Sequence, residues 1–330
     1  MATITLAAVG DLLMRGAIIE SARRSDRTKK KESYAFGPMF AKVAPHLRKP
    51  DVTIGNLETT FSGRRWFEQG AGKRYKYERK SRIGYPMFNC PDELARTLKH
   101  LGFDVLTTAN NHCMDGGPAG LKRTLRVLDK QGLRHTGTAR SPEESRRLLI
   151  VRAKGIKLGI LAYTYGTNSL PVPEPWLVNR IRHKQIIADI RRLKKQSDAV
   201  IVCLHFGKEF KRVPNDRQRS LVRLLLRHGA NAVLGAHPHV LQPVTKSKVK
   251  DRYGKVRTRV AAYSLGNFIS DRLRGNVHTL RGMILTLTIR KDRSGKTDIT
   301  KVHKLRTIVK QGSAKGRAVF RIDVDLTPKA

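Results

Sequence analysis

The run AVIVCLHFG at 199–207, followed by AVLGAHPH at 232–239, decides how this 330-residue chain is read. Each is a short stretch of aliphatic, β-prone residues that stops abruptly in histidine. Apolar runs without period-2 alternation suit strands covered on both faces, as in the sheets of α/β proteins. The same plan recurs outward in both directions, at TITLAAVGD (3–11), DVTIGNLE (51–58), DVLTTANNH (104–112) and VAAYSLGNF (260–268).

Helical signals fill the intervals. Pro91-Asp92-Glu93 places proline and acids in a first turn, with Leu94, Leu98 and Leu101 at helical spacing behind them. Leu121, Leu125 and Leu128 repeat the pattern within 120–131, as do Ile186, Ile187, Ile190 and Leu193 within 182–196 and Leu221, Leu224 and Leu225 before the strand at Ala232. Residues 148–165 read instead as two strands joined at Lys154-Gly155. After 280 the pattern turns β-rich, from Met283 to Ile289 and again near Ile299 to Leu305. No linker divides the chain, so the expectation is one domain over 1–330, with its motifs in 4–272 and a C-terminal β-rich extension at 280–326. Basic segments near 22–31, 64–82 and 246–259 read as solvated loops or as a rim for an anionic ligand, with Trp66, Phe67, Tyr75 and Tyr77 lending the middle one aromatic character.

Bulk properties narrow the classes. With 67 Lys plus Arg against 26 Asp plus Glu, the formal charge is +41. Such a field concentrates polyanions and holds them by counterion release, whether nucleic acid, anionic lipid, teichoic-type polymer or polyglutamate, although an Arg-rich surface also occurs without such a role. Cys90, Cys113 and Cys203 stand far apart with no CxxC spacing, which excludes a disulfide framework and a thiolate zinc cluster. No window approaches the ~20 apolar residues of a membrane span. The start, MATITLAAVGDLLMRG, lacks a basic n-region and meets Asp11 and Arg15 early, so it reads as a strand rather than a secretion signal. The expected location is the cytoplasm, with peripheral contact at the membrane left open.

The chemistry lies at the strand ends. Asp11, Asn56 with Glu58, Asn111 with His112, His205, and His237 with His239 terminate their runs. Each alone has a plainer reading: Asp11 a cap, Glu58 a surface acid, Asn110-Asn111-His112 a polar turn, His205 a satisfied core histidine. Ligands of open α/β sheets bind beyond the carboxyl ends of the strands, so these endings, on strands of one sheet, could converge on one pocket. Carboxylates with imidazoles suit a divalent ion such as Zn, Mn or Fe. In His237-Pro238-His239, proline fixes the backbone and an extended segment would turn both imidazoles to one side.

Taken in order, Gly10-Asp11 with Arg15, Asn56-Leu57-Glu58, Asn110-Asn111-His112 with Asp115, His205-Phe206-Gly207 with Glu209, Gly235-Ala236-His237-Pro238-His239 with Gln242, and Ser264-Leu265-Gly266-Asn267-Phe268 with Asp271 resemble the motif series of CapA-type capsule-synthesis proteins, the PgsA-like poly-γ-glutamate synthesis family of the metallophosphatase superfamily. The resemblance implies a four-layer α/β-β/α sandwich and one or two divalent metal ions, with Asp11, Glu58, Asn111, His205, His237 and His239 at ligand positions. It also implies His112 as proton donor with Asp115 orienting it, and Arg15 and Asn267 as residues gripping an anionic substrate. Two departures stand out: Leu13 occupies the place of a usual histidine ligand, and Glu58 replaces a shorter aspartate. Three functions follow: a metal-dependent hydrolase of capsule polymer assembly, a phosphoesterase or nuclease, or a non-catalytic polymer-binding assembly subunit. The implied partners are an anionic polymer such as poly-γ-glutamate and membrane-bound capsule synthesis subunits, with non-specific nucleic-acid binding open.

Overall fold

The chain begins in β1 (Ala2–Leu12), and β2 (Val52–Leu57), β3 (Val105–Thr107) and β4 (Arg134–Thr136) follow as successive parallel neighbours. A hairpin of β5 (Leu149–Ala153) and β6 (Ile156–Thr164) then opens a second sheet. It is continued in parallel by β7 (Ala199–His205) and β8 (Ala232–Ala236) and closed by the hairpin of β9 (Val244–Lys250) and β10 (Val256–Ala262). The chain returns to the first sheet with β11 (Asn267–Ile269) beside β1, then β12 (Arg281–Lys291), β13 (Thr297–Ala314) and β14 (Arg317–Val324). The sheet orders are β14-β13-β12-β1-β2-β3-β4, with β11 on β1, and β9-β10-β8-β7-β6-β5. These coordinates are a computed structural model that describes residues 1–24, 33–63, 77–314 and 316–327.

Period-2 burial builds the layers. Ile4, Leu6 and Ala8 of β1 meet Leu158, Ile160, Ala199 and Ile201 of the second sheet in a core between the sheets. The alternate residues Val200, Val202 and Leu204 face the other way, onto α4 (His183–Lys194) and α5 (Asp216–Arg227). On the opposite flank Ala7, Val9 and Leu106 pack against α1 (Gly16–Ala22), α2 (Glu93–His100) and α3 (Gly117–Lys130). The result is the expected four-layer α/β-β/α sandwich, with apolar side chains on both faces of the central strands.

Local chemistry explains the joints. Lys154 (φ 42°) and Gly155 (φ 78°) are both left-handed, the backbone of a two-residue hairpin turn. A reciprocal cap starts α5: Asn215 Oδ1 accepts from Gln218 N at 2.9 Å and Gln218 Oε1 from Asn215 N at 3.0 Å.

Three expectations are corrected. The basic segment 246–259 is a hairpin rather than a loop, because Asp251 Oδ1 accepts the N–H groups of Tyr253 and Lys255 and tightens the turn. The run 260–268 is not one strand: it leaves the second sheet after Ala262 and enters the first at Asn267. The polar strand endings therefore come from two facing sheets, not one. Trp66, Phe67 and Tyr75 lie outside the described residues, whereas Tyr77 is buried with its ring edge-on to Tyr34 at 5.6 Å. No helix among the described residues is long and apolar enough to cross a membrane.

The crossing at 263–266 stitches the sheets together. Leu265 N donates to Gly235 O and Asp11 N to Gly266 O, each at 3.0 Å. Gly10 has no room for a side chain here: a Cβ would stand 1.8 Å from Gly266 O. Gly10→Ala should therefore cost about 3 kcal/mol or more in urea denaturation, the upper end of overpacking, while Gly37→Ala, with nothing within 4 Å of its Cβ, should be near neutral.

Candidate metal centre

Strand register sets the floor of the site. Asp11 pairs with Asn267 of β11 on one side and Asn56 of β2 on the other, and Asn56 pairs with Thr107 of β3. Polar side chains follow this row: Thr107 Oγ1 donates to Asn56 Oδ1 at 3.1 Å, and Asn56 Nδ2 to Asp11 Oδ1 at 2.7 Å. The second sheet ends on a matching row, Thr164–His205–Ala236. His237 and His239 emerge just past it. Their backbones are left-handed, φ 97° and 58°, rather than extended as expected. L-residues resist this conformation, and such strain is found where surrounding structure imposes it, often at functional sites. One restraint is visible: His237 N donates to Asp11 Oδ2 at 3.2 Å.

The six expected ligands lie together and buried, none more than 5% exposed. Ligand atoms of Asp11, Glu58 and His239 all stand within 4.8 Å of one another, and so do those of Glu209, His237 and His239. His239 Nδ1 faces Asn267 Oδ1 at 3.0 Å and Asp11 Oδ2 at 3.2 Å. Both are acceptors, so Nδ1 carries a proton, and Nε2 stands 3.8 Å from Glu58 Oε1. His205 is held between asparagines: Nε2–H donates to Asn111 Oδ1 at 2.8 Å and Nδ1 accepts from Asn56 Nδ2 at 3.2 Å. Asn111 Nδ2 donates onward to Asn168 Oδ1 at 3.2 Å.

The two buried acids are opposed in character. Burial raises the Asp11 carboxyl, but the hydrogen bond and charge of His239, with the hydrogen bonds of Asn56 and the His237 N–H, outweigh it and leave the group below its ordinary value. Glu58 has no such compensation. Burial, then the charge of Asp11, push it well above the carboxylate range. Both Glu58 oxygens are buried without a hydrogen-bond donor, as is His237 Nδ1. Burial and the neighbouring imidazoles hold His237 down to about 3, so it is neutral. A carboxylate and an imidazole lone pair left unsatisfied in one cluster fit a divalent cation, since a cation is what would satisfy both.

Beside this cluster stands His112. Its Nδ1 donates to Asp115 Oδ2 at 2.8 Å, and that oxygen also accepts Phe88 N at 2.6 Å. The Phe88 ring packs on the imidazole at 4.3 Å between centroids. His112 Nε2 is 3.5 Å from Asn168 Nδ2. Arg15 and Asn267 are already engaged within the protein. Arg15 bridges Asp271, at 3.0 Å, and Glu78, at 3.1 Å. Asn267 is 1% exposed, accepting from His239 and donating to Thr279 O at 2.9 Å.

Sequence reasoning gave no role to Glu209, Asn168 or Tyr165, whose ring lies 4.5 Å from that of His237. Glu209 carries a signal, four residues beyond a histidine strand end; Asn168 and Tyr165 sit in a loop with none.

A family model, bacterial capsule synthesis protein PGA_cap, matches residues 5–272. The chain is 28% identical over 319 residues to the PGA biosynthesis protein CapA of Bacillus subtilis, covering 95% of this chain and 76% of that protein. It is 25% identical over 274 residues to the capsule biosynthesis protein CapA of Bacillus anthracis, covering 81% of this chain and 60% of the relative. In fold it is similar to a putative 5'-nucleotidase from Staphylococcus aureus, with a TM-score of 0.53 at 15% identity over 92% of this chain and 54% of that one. The chain thus spans little more than half of that structure and three fifths of the second relative. A metallophosphatase-like sandwich whose strand ends carry the ordered motif series from Asp11 to Asn267 belongs to the bacterial capsule synthesis (PGA_cap) family.

Proposed function

We propose that this protein is a metal-dependent hydrolase of capsule polymer assembly, acting on or handling an anionic polymer such as poly-γ-glutamate. The observation that carries the reading is Glu58, a fully buried acid whose oxygens face no hydrogen-bond donor and stand close to Asp11 and His239. Asp11, Glu58 and His239 would hold the ion, with His205, His237 and Asn111 around it. When bound, a divalent cation supplies Lewis-acid polarisation of an ester or amide oxygen.

The remaining steps belong to side chains. Asp115 fixes the His112 tautomer through Nδ1, leaving Nε2 to carry a proton to or from the substrate. The ring of Phe88 covers one side of that imidazole and restricts its rotation and its water. Asn168 spans the gap between Asn111 and His112 and so couples the proton donor to the ligand cluster. Outside the pocket, a net charge of +41 draws a polyanion to the surface. Family membership favours a capsule polymer over nucleic acid as that polyanion.

Elemental analysis of protein purified without chelator should find Zn, Mn or Fe, and Glu58→Gln or His239→Ala should abolish its uptake; uptake unchanged in both would sink the assignment. His112→Ala should keep the metal yet lower turnover of a generic ester or phosphodiester by about 10²–10⁴-fold. Poly-γ-glutamate should bind more tightly than an oligonucleotide of equal charge at matched ionic strength, since salt alone moves such affinities by decades; the reverse order points to a nuclease, and binding by a metal-free, inactive protein to an assembly subunit.

A last prediction concerns stability without metal. Because the folded-state pKa of Glu58 is raised, the native chain binds its proton more tightly than the unfolded chain, so stability falls as pH rises above the unfolded value near 4.3. In chelator at pH 8, Glu58→Gln should be about 1–3 kcal/mol more stable than wild type, the usual cost of an unsatisfied buried group. That advantage should vanish near pH 4 in thermal unfolding.

A further inference from the structure

A second concave site shares no residue with the strand-end cluster. It is a cleft of about 420 Å³ between α4, the short helix Pro142–Arg146 and the loop that follows β6, a size usual for ligand pockets. Four arginines line it, Arg146, Arg180, Arg182 and Arg192, with the half-buried Trp176 beside them. The buried acid in its wall is already satisfied. Asp189 accepts from Tyr163 Oη at 2.8 Å and from Gln185 Nε2 at 2.9 Å, and pairs with Arg192 at 3.3 Å. Arg192 also donates to Arg146 O at 2.9 Å, and Arg146 pairs with Glu143 at 3.3 Å. Arg180 and Arg182 differ: neither side chain makes a hydrogen bond or ion pair among the described residues. Glu174 is the sole acid of residues 165–182, and it does not line the cleft.

The segment bearing these two arginines is pinned at the strand ends of both sheets. Beyond β4, Asn179 N donates to Gly137 O at 2.8 Å and Ala139 N to Leu177 O at 3.0 Å. At the end of β6, Thr164 N donates to Asn179 O at 2.9 Å and Ile181 N to Thr164 O at 2.8 Å. Spaced i, i+2 on a segment that is extended at Arg182, both side chains turn to the cleft. Two cations are thus fixed at the backbone and unpaired at their tips, so an anion entering between them relieves their repulsion.

We propose that this cleft is a docking subsite for the anionic polymer, in which Arg180 and Arg182 take successive carboxylates and Trp176 offers an apolar surface to the chain between them. This rests on the reading of the protein as one that handles a polycarboxylate such as poly-γ-glutamate. Guanidinium forks match carboxylates with paired hydrogen bonds, a geometry that a diffuse basic surface does not supply. Single-stranded nucleic acid is held by stacking successive bases on aromatic rings. Here Tyr163 is buried, so Trp176 is the ring presented, and Lys122 already stands over it at 5.3 Å. The loop that walls the cleft also carries Tyr165 and Asn168 at the strand-end cluster, so a chain docked here runs along it toward His112.

The test follows fluorescence anisotropy of labelled poly-γ-glutamate on the full chain at fixed ionic strength, in chelator so that metal occupancy plays no part. Arg180→Gln with Arg182→Gln, both exposed, should weaken binding roughly tenfold or more, as losing a hydrogen bond to a charged group does. A control removes equal charge near the start of β1, by Arg293→Gln with Lys296→Gln in the turn after β12. It should shift affinity by less than about threefold, the share of the general field. Equal losses in the two variants, or wild-type binding in the cleft variant, overturn the subsite while the polymer reading stands. An oligonucleotide of equal charge that depends as strongly on Arg180 and Arg182 overturns the polycarboxylate assignment. A wild-type chain that does not bind the polymer overturns the polymer reading together with the subsite.

Discussion

Parallel pairing brings strand ends level with one another, and this constraint organises the molecule. Asn267, Asp11, Asn56 and Thr107 form one row because β11, β1, β2 and β3 run the same way in fixed register. Thr164, His205 and Ala236 form another for the same reason in β6, β7 and β8. The two rows meet because the crossing at 263–266 bonds to Gly235 in one sheet and to Asp11 in the other. Arg15 and Asp271, 256 residues apart in sequence, thereby become neighbours.

Once the rows meet, electrostatics separates two carboxylates of similar burial. Asp11 sits among donors and stays charged; Glu58, one residue beyond β2, has only imidazoles and acids for company. Under the proposed reading, a site with one satisfied and one unsatisfied carboxylate would favour a small cation. It would also tie stability to occupancy, because the cost of burying Glu58 is offset when something positive reaches it.

The sandwich was legible because its central strands are apolar on both faces and stop in polar residues, a pattern visible in AVIVCLHFG and AVLGAHPH. The polar residues that gather at the strand ends were legible for the same reason. What escaped depends on chain path rather than composition. Phe88 covers His112 through a hydrogen bond to Asp115 that no spacing announces. Pro238 implied an extended backbone, but bonding of His237 N to Asp11 is accompanied by left-handed geometry on both sides of it. The split of 260–268 between sheets is likewise a tertiary event: the chain leaves the second sheet after Ala262 and turns at Gly266 (φ 66°) before entering the first at Asn267. The strands after 280 read as an appendage because local sequence cannot say that β12 will pair with β1.

The distribution of basic residues has a consequence for self-association. Each sheet has two outermost strands whose backbone groups are open to pairing with another chain, a route to aggregation. Lys246, Lys248 and Lys250 stand on β9 and Arg317 and Arg321 on β14, while β4 and β5 carry Arg134 and Arg152. Like charges on approaching borders repel, so part of the cationic excess works as insulation that keeps copies of this fold from zipping together edge to edge.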